Sequence, residues 1–450
     1  MTRSRAIEKY LRSRAVDGPW RLEGCAESDF AGAVVIPALA EGESLFATLE
    51  SLAQGPAAML ERYLVVVVVN HREDAEEGDK KGNRIDLARL ASGDAPRPLR
   101  LALVDAASPG LELPARSGGV GLARKIGFDL ALARLDPGGP EPILASLDAD
   151  TLVGPGYLPA LAAHFARSGA GGAVLPFCHQ PGGSAGQQAA IDRYELYLRH
   201  HALGLALAGS PYASPTVGSA MACTAGAYAR AGGMNRRAAG EDFYFLQQLA
   251  KTCGVEQLRG TIVRPSARVS ARVPFGTGPS MKRLLGGERD AVLFYPSGCY
   301  RLLRGWLTLA EDLWQEPAAE LLAGAEEISP YLARFLHTYR FTDIWTRLRD
   351  NHRGRTALQS AFHGWFDGLK SLQFIHHLCA GPLPKVGPEA ALPPLLDWAG
   401  LKPTKDPARQ LAQLRSLQAA GEAEQSHRTP EKRGVCDTIE AKDDPLAGVP

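Results

Sequence analysis

The sequence predicts an α/β protein, a mostly parallel sheet flanked by helices, followed by a helical C-terminal region. Two observations carry this. Short apolar runs rich in β-branched residues alternate with helical patterns through the first part of the chain, the mark of strands buried on both faces with helices between them. After Met281 such runs become rare, and helical periodicity takes over, carrying Trp306, Trp314, Trp345, Trp365 and Trp398. A third observation is length: 450 residues suffice for two or three full cores.

Taken in order, residues 1–30 read as an N-terminal extension. Its basic start, "MTRSRAIEKYLRSR", lacks the apolar stretch and the small-residue cleavage site of a signal peptide. Strands are predicted over Ala31–Pro37, Tyr63–Val69, Leu99–Asp105, Pro142–Asp148 and Gly171–Phe177, and helices over Glu43–Gln54, Arg84–Ala91, Val120–Leu135 and Leu158–Arg167. The segment His71–Arg84 reads as a long charged loop on the ligand side of the sheet. The first domain is placed at 31–280 and the helical region at 281–420. The polar, aperiodic stretch 421–450 is predicted to be a disordered tail. The most apolar run, "YLVVVVVN", is far shorter than the ~20 residues of a membrane helix, so no transmembrane segment is expected.

Lys and Arg number 50 against 49 Asp and Glu, so the formal charge is +1 and nothing global points to nucleic acid or polyanions. The seven cysteines are scattered, odd in number and without a C-x-x-C pair, which reads as reduced thiols of a cytoplasmic protein. No H-E-x-x-H or G-x-x-x-x-G-K-[ST] motif occurs.

The chemistry is expected at "ILASLDADTLVGPGYL", residues 143–158, where Asp148 and Asp150 follow an apolar run. On a strand, residues i and i+2 share a face, so the two carboxylates would repel unless something positive sits nearby. Hard oxygen donors at the carboxyl end of a strand suit Mg²⁺ or Mn²⁺. A helix cap or a strand-end turn is the alternative for D-x-D taken alone.

Four features in order, "VVIPALAE" (34–41), "GGVGLARKIGFDLAL" (118–132), the D-x-D and "GEDFYFLQQL" (240–249), make the chain resemble the GT-A glycosyltransferases of family 2 over roughly 31–279. The resemblance implies a GT-A-like fold, a nucleotide-diphospho-sugar donor, a hydroxyl acceptor and a divalent metal held by Asp148 and Asp150, with Asp148 also near the ribose. It implies that Asp242 acts as general base in an inverting transfer, with Glu241 beside it, since a hydroxyl needs a positioned proton acceptor. Capping of the helix dipole is the other role open to these two acids.

Pro37 and Glu41 are expected near the nucleotide. Gly119 and Gly121 are expected to let backbone approach the ligand, and Arg124 and Lys125 to reach phosphate oxygens; the alternative is a helix start with solvated cations. Arg124 stands where a dinucleotide G-x-G-x-x-G has its third glycine, which argues against that motif. Arg268 and Arg272, in a Pro-, Gly- and Ser-punctuated loop, are expected to fold over the diphosphate, or else to be surface charge.

The pattern departs from the family after the second strand, where "VVNHRED" replaces an Asp-rich segment; Asn70 can still bond a base edge. "RLLRGW", 301–306, is a near miss to the signature of processive synthases, with Gly305 inserted, and reads as part of a C-terminal helix. Two other functions stay open: a sugar-phosphate nucleotidyltransferase, and a non-catalytic nucleotide-sugar-binding protein. "PALAEGES" lacks the Gly- and Arg-rich loop that the first would need.

Overall fold

The computed structural model describes residues 5–270, 276–404 and 406–420. Strands β1 (Gly32–Ala38), β2 (Tyr63–Asn70), β3 (Arg100–Ala106), β4 (Ile143–Ser146), β5 (Gly172–Val174), β6 (Met221–Thr224) and β7 (Val255–Gln257) form one sheet in the order β3-β2-β1-β4-β6-β5-β7. Strands β3, β2, β1 and β4 are parallel, with Val35 in register with Val66 on one side and Ser146 on the other. β6 runs antiparallel to both β4 and β5, and β7 is parallel to β5. The mostly parallel, helix-flanked sheet is the GT-A-like α/β arrangement that the sequence implies.

Helices α1 (Arg5–Ser13), α2 (Glu43–Ala53), α3 (Ala57–Leu60), α4 (Glu77–Ser92), α5 (Val120–Ala131), α6 (Tyr157–Phe165), α7 (Ala185–Leu207), α8 (Ala225–Ala231) and α9 (Glu241–Thr252) lie between or beside the strands. Alternate residues of β1 and β2 feed two cores. Val35, Val66 and Val68 pack with residues of α1, α5, α8 and α9, while Val34, Ile36, Val65 and Val67 pack with α2 and α6. The chain continues as α10 (Thr277–Leu285), α11 (Ser297–Asp312), α12 (Ala318–Ile328), α13 (Pro330–Thr338), α14 (Phe341–Asn351), α15 (Arg355–Trp365), α16 (Gly368–Cys379), α17 (Pro388–Trp398) and α18 (Pro407–Ala420).

These C-terminal helices share a third core with α7, which leaves the sheet after β5 and packs Tyr194, Leu196 and Leu203 among them. In "RLLRGW" Trp306 is fully buried against Phe341, Phe362 and Phe366, while Arg301 and Arg304 lie over Trp398. Glu195 fastens α7 to the sheet. Fully buried, it accepts from the His179 N–H at 3.0 Å, from Arg199 at 2.9 Å and from Arg415 of α18 at 2.7 Å. Those partners hold its carboxyl well below the ordinary range against the desolvation that opposes them.

Several expectations are corrected. β3 is not buried on both faces, because it is an edge strand; Arg100 is exposed and Leu101, Leu103 and Asp105 are half-buried. The charged segment His71–Arg84 is not all loop: α4 starts at Glu77, and Asn83, Asp86 and Leu90 turn inward from it. β4 stops at Ser146, so Asp148 and Asp150 stand beyond the strand, in a turn closed by the Thr151 N–H on the Asp148 carbonyl at 3.1 Å. The stretch 421–450, predicted as a tail, lies outside the described residues.

Candidate active site

A cavity of about 1450 Å³ opens at the carboxyl ends of β1, β2 and β4, where ligands sit in open α/β sheets. Pro37, Glu41, Asn70, Gly119, Arg124, Asp148, Asp150, Glu241, Asp242 and Arg268 all line it. The like charges at 148 and 150 are neutralised separately, because the turn after β4 directs them to different partners. Asp148 accepts a bond from Arg124, whose other terminal nitrogen reaches Glu241. Asp150 pairs with Arg268 at 2.8 Å, and the same guanidinium holds both oxygens of Glu41, at 2.6 and 2.8 Å.

Arg268 reaches this turn because its segment is stitched to it. Leu152 and Arg264 exchange backbone bonds at 3.0 and 2.8 Å, and the Gln180 amide bridges the carbonyls of Asp150 and Arg264. Arg272 lies outside the described residues.

The "ED" pair divides. Gly240 takes a left-handed backbone, φ +68°, that turns the chain into α9 and sends its first two residues different ways. Glu241 is buried against Arg124. Asp242 faces the cavity, its Oδ1 accepting the Phe243 N–H at 2.7 Å, with no ion-pair partner among the described residues. Burial pushes its carboxyl above the ordinary aspartate range and Asp148 adds to the push, against the opposing effects of Arg124 and the Phe243 N–H.

Other expected contacts are made with protein instead of ligand. Lys125 does not line the cavity: it points to the opposite side of α5, pairing with Asp129 at 2.9 Å and bonding Tyr10 Oη at 2.5 Å. Asp129 also accepts from Tyr10, Tyr228 and the Val16 N–H, each at 2.7 Å, and so ties α1 to α5 and α8. Gly119 and Gly121 admit the 235–238 loop. A Cβ on Gly119 would lie 2.7 Å from the Ala238 Cα, and one on Gly121 would lie 2.4 Å from the Arg237 carbonyl oxygen. The Asn70 amide donates to the Ala38 and Val68 carbonyls, both at 3.0 Å, so its nitrogen serves the sheet and not a base edge.

Two residues beneath the site escape the sequence reading. Asn83 Oδ1 accepts the Ala40 N–H at 2.7 Å, and Asp86 Oδ2 accepts those of Glu41 and Gly42 at 3.0 and 3.2 Å. Both side chains are buried, and they hold Ala40 at φ +48°, a conformation unfavourable for a residue with a Cβ. Asn83 also donates to the Asn70 carbonyl and meets His71 Nδ1, each at 2.9 Å. Their one sequence signal is a pair of polar residues at i and i+3 on what becomes a helix.

The donor set fits a divalent cation. Asp148 and Asp150 offer hard oxygens at the cavity wall, Asp148 with a side chain 34% exposed and one oxygen given to Arg124. Among the described residues no cluster of three or more His, Cys, Asp or Glu could grip an ion without help.

Sheet order and a charged cavity at the strand ends together define an α/β protein of GT-A-like fold. No family model matches the chain, and no curated protein does. Solved structures to which the chain shows some likeness include Staphylococcus aureus TarS 1-349, at 14% identity over 75% of this chain and 92% of that one, TM-score 0.35. The same fragment in complex with UDP-GlcNAc matches over the same shares at 14% identity and TM-score 0.38. The mannosyltransferase PcManGT from Pyrobaculum calidifontis, in complex with GDP-Man and Mn²⁺, matches at 16% identity over 80% of this chain and 93% of that one, TM-score 0.36.

Proposed function

We propose that this chain is a family 2-like glycosyltransferase that moves a sugar from a nucleotide-diphospho-sugar to an acceptor hydroxyl, with inversion and with Mg²⁺ or Mn²⁺. One observation carries the reading: a single cavity combines Asp148, Asp150 and Arg268 at the strand ends with the non-ion-paired carboxylate of Asp242. The first group suits a diphosphate and its counter-ion; the second suits proton removal.

Arg268 would exchange Glu41 and Asp150 for diphosphate oxygens, a charge-assisted contact that also favours the leaving group. Asp242 would take the acceptor proton as the acceptor oxygen attacks the anomeric carbon. The bond from that carbon to the diphosphate oxygen breaks, its electron pair leaves with the nucleoside diphosphate, and attack from the opposite face inverts the centre. A cation held by Asp148 and Asp150 would supply neutralisation of charge on the departing diphosphate. Arg124 and Glu241 are positioning residues, joining α5 and α9 beside the reacting groups.

The test is nucleoside diphosphate release from UDP- and GDP-sugars, with and without chelator, and NMR of the product's anomeric centre. Pyrophosphate release from a nucleoside triphosphate and a sugar phosphate would favour a nucleotidyltransferase instead. Tight donor binding without turnover would leave a binding protein.

A further inference from the structure

The cavity exceeds what one substrate needs, and its chemistry changes along its length. Its volume of about 1450 Å³ is above the roughly 300–1,000 Å³ of a pocket for one small ligand. The strand end is ionic. The other end runs along one face of α7, where Tyr194, Tyr197, His201 and Ala202 line it, and is closed by Tyr295 and by His376 of α16.

Polar groups in this branch are hydroxyls and imidazoles bonded to one another. Tyr197 Oη donates to Tyr295 Oη at 3.2 Å, Tyr295 Oη meets His376 Nε2 at 2.9 Å, and His201 Nδ1 meets Tyr300 Oη at 3.0 Å. Burial lowers both imidazoles, His201 to about 4, and the Lys385 ammonium lowers both further, which favours their neutral forms. The charges at this end are peripheral. Lys385 is exposed, 4.9 Å above the Tyr295 ring, Asp290 is likewise exposed, and Arg283 is paired with Glu288. Asp242 lines the same cavity as Tyr194 of α7.

Resting on the glycosyltransferase reading, we propose that this branch seats the acceptor and that the acceptor is a neutral polyhydroxylated ring, a sugar or its glycoside. Hydroxyls and neutral imidazoles each donate and accept, as sugar hydroxyls do, and the rings between them offer apolar surface for the C–H edges. An anionic acceptor would meet a single cation here, Lys385 at the exposed rim over the Tyr295 ring, and an acyl chain would use none of the bonding capacity that the Tyr197 hydroxyl and the second His201 nitrogen keep beyond their mutual contacts.

Saturation-transfer NMR on the full chain, with UDP or GDP and Mg²⁺ present, tests this. The probes are methyl glucoside and methyl mannoside (neutral rings), a hexose phosphate (anionic) and decanol (apolar). A methyl glycoside should bind, the signal should vanish in Ala202→Trp, which fills the branch, and affinity should fall about fivefold in Tyr197→Phe, which removes one hydroxyl. Calorimetric affinity for the nucleotide should be unchanged in both variants, which also reports that they fold. Signal from the hexose phosphate or decanol alone, or undiminished methyl glycoside binding in both variants, would overturn the proposal. If the parent chain binds neither UDP nor GDP, the glycosyltransferase reading itself fails, and the acceptor role with it.

Discussion

Arg124 and Glu241 form an ion pair buried on both sides, their side chains 3% and 6% exposed, and the same guanidinium reaches Asp148. One cation therefore joins α5, the start of α9 and the turn after β4. An arginine so committed is a brace, not a free hand for phosphate.

Arg124→Ala should destabilise the protein before it alters donor affinity. Removing one partner of a buried pair typically costs ~3–5 kcal/mol, because the other charge is left without compensation. A scanning calorimetry trace should show a clear drop in melting temperature, and Glu241→Gln should also lower it. An unchanged transition in both would refute the brace.

Asp242→Asn should abolish transfer and spare folding. General-base catalysis is worth ~10²–10⁴-fold, so the loss belongs in kcat and not in donor affinity. Because the folded-state carboxyl lies above its ordinary value, the folded protein binds its proton more tightly than the unfolded chain does, and Asp242 costs stability as pH rises through that range. The Asn variant should therefore be at least as heat-stable as the parent at neutral pH. The parent's transfer rate should fall on the acid side at a pH above that of an ordinary aspartate. A variant with near-parental kcat would make Asp242 only a cap.

Arg268→Ala should raise KM for the nucleotide sugar by roughly 10–100-fold, the worth of charge-assisted bonds to phosphate, with little change in acceptor KM. Since Arg268 already spans Glu41 and Asp150, Glu41→Gln should partly release it. A double-mutant cycle on 41 and 268, read by nucleotide titration, should be non-additive. Additive effects would mean that the ion pair has no bearing on donor binding.

Metal affinity should depend on the donor. With two protein carboxylates and no larger described cluster, a divalent ion held there would draw its remaining ligands from diphosphate and water. Calorimetry should show weak binding of the ion alone and much tighter binding with UDP or GDP, and Asp150→Ala should remove the difference. Full turnover in excess EDTA would exclude a required metal.

Asp86→Ala should lower kcat/KM although Asp86 lies beneath the site. It removes the acceptor for the N–H groups of Glu41 and Gly42, a loss of about 1–3 kcal/mol, and frees the turn that presents Glu41 to Arg268. Asp86→Asn, which keeps one acceptor oxygen, should recover much of the loss. Equal damage from both would point to the charge and not the turn.

Strands β1, β2 and β4 are legible because a doubly buried strand is apolar without interruption, and "YLVVVVVN" has no other economical explanation. Strands β6 and β7 escape this reading because "MACT" and "VEQ" lie in no run of apolar β-branched residues. The start of α4 hides under its own charges, since the opening Glu77, Asp79, Lys80 and Lys81 with two glycines look like a loop until the buried Asn83 and Asp86 are known.

The sequence by itself determined the fold class, the end of the sheet where ligands gather and the residue types found there, because burial and strand order follow from apolar patterning. Which like residue does which work was decided by tertiary structure. Neighbours on a helix point ~100° apart, so Arg124 turns into the cavity while Lys125, of the same charge, turns away to Asp129. At the head of α9 the same rotation buries Glu241 against Arg124 and leaves Asp242 facing the space where an acceptor would lie. Motif spacing records that two carboxylates are adjacent; only packing assigns one a counter-ion and leaves the other free to take a proton.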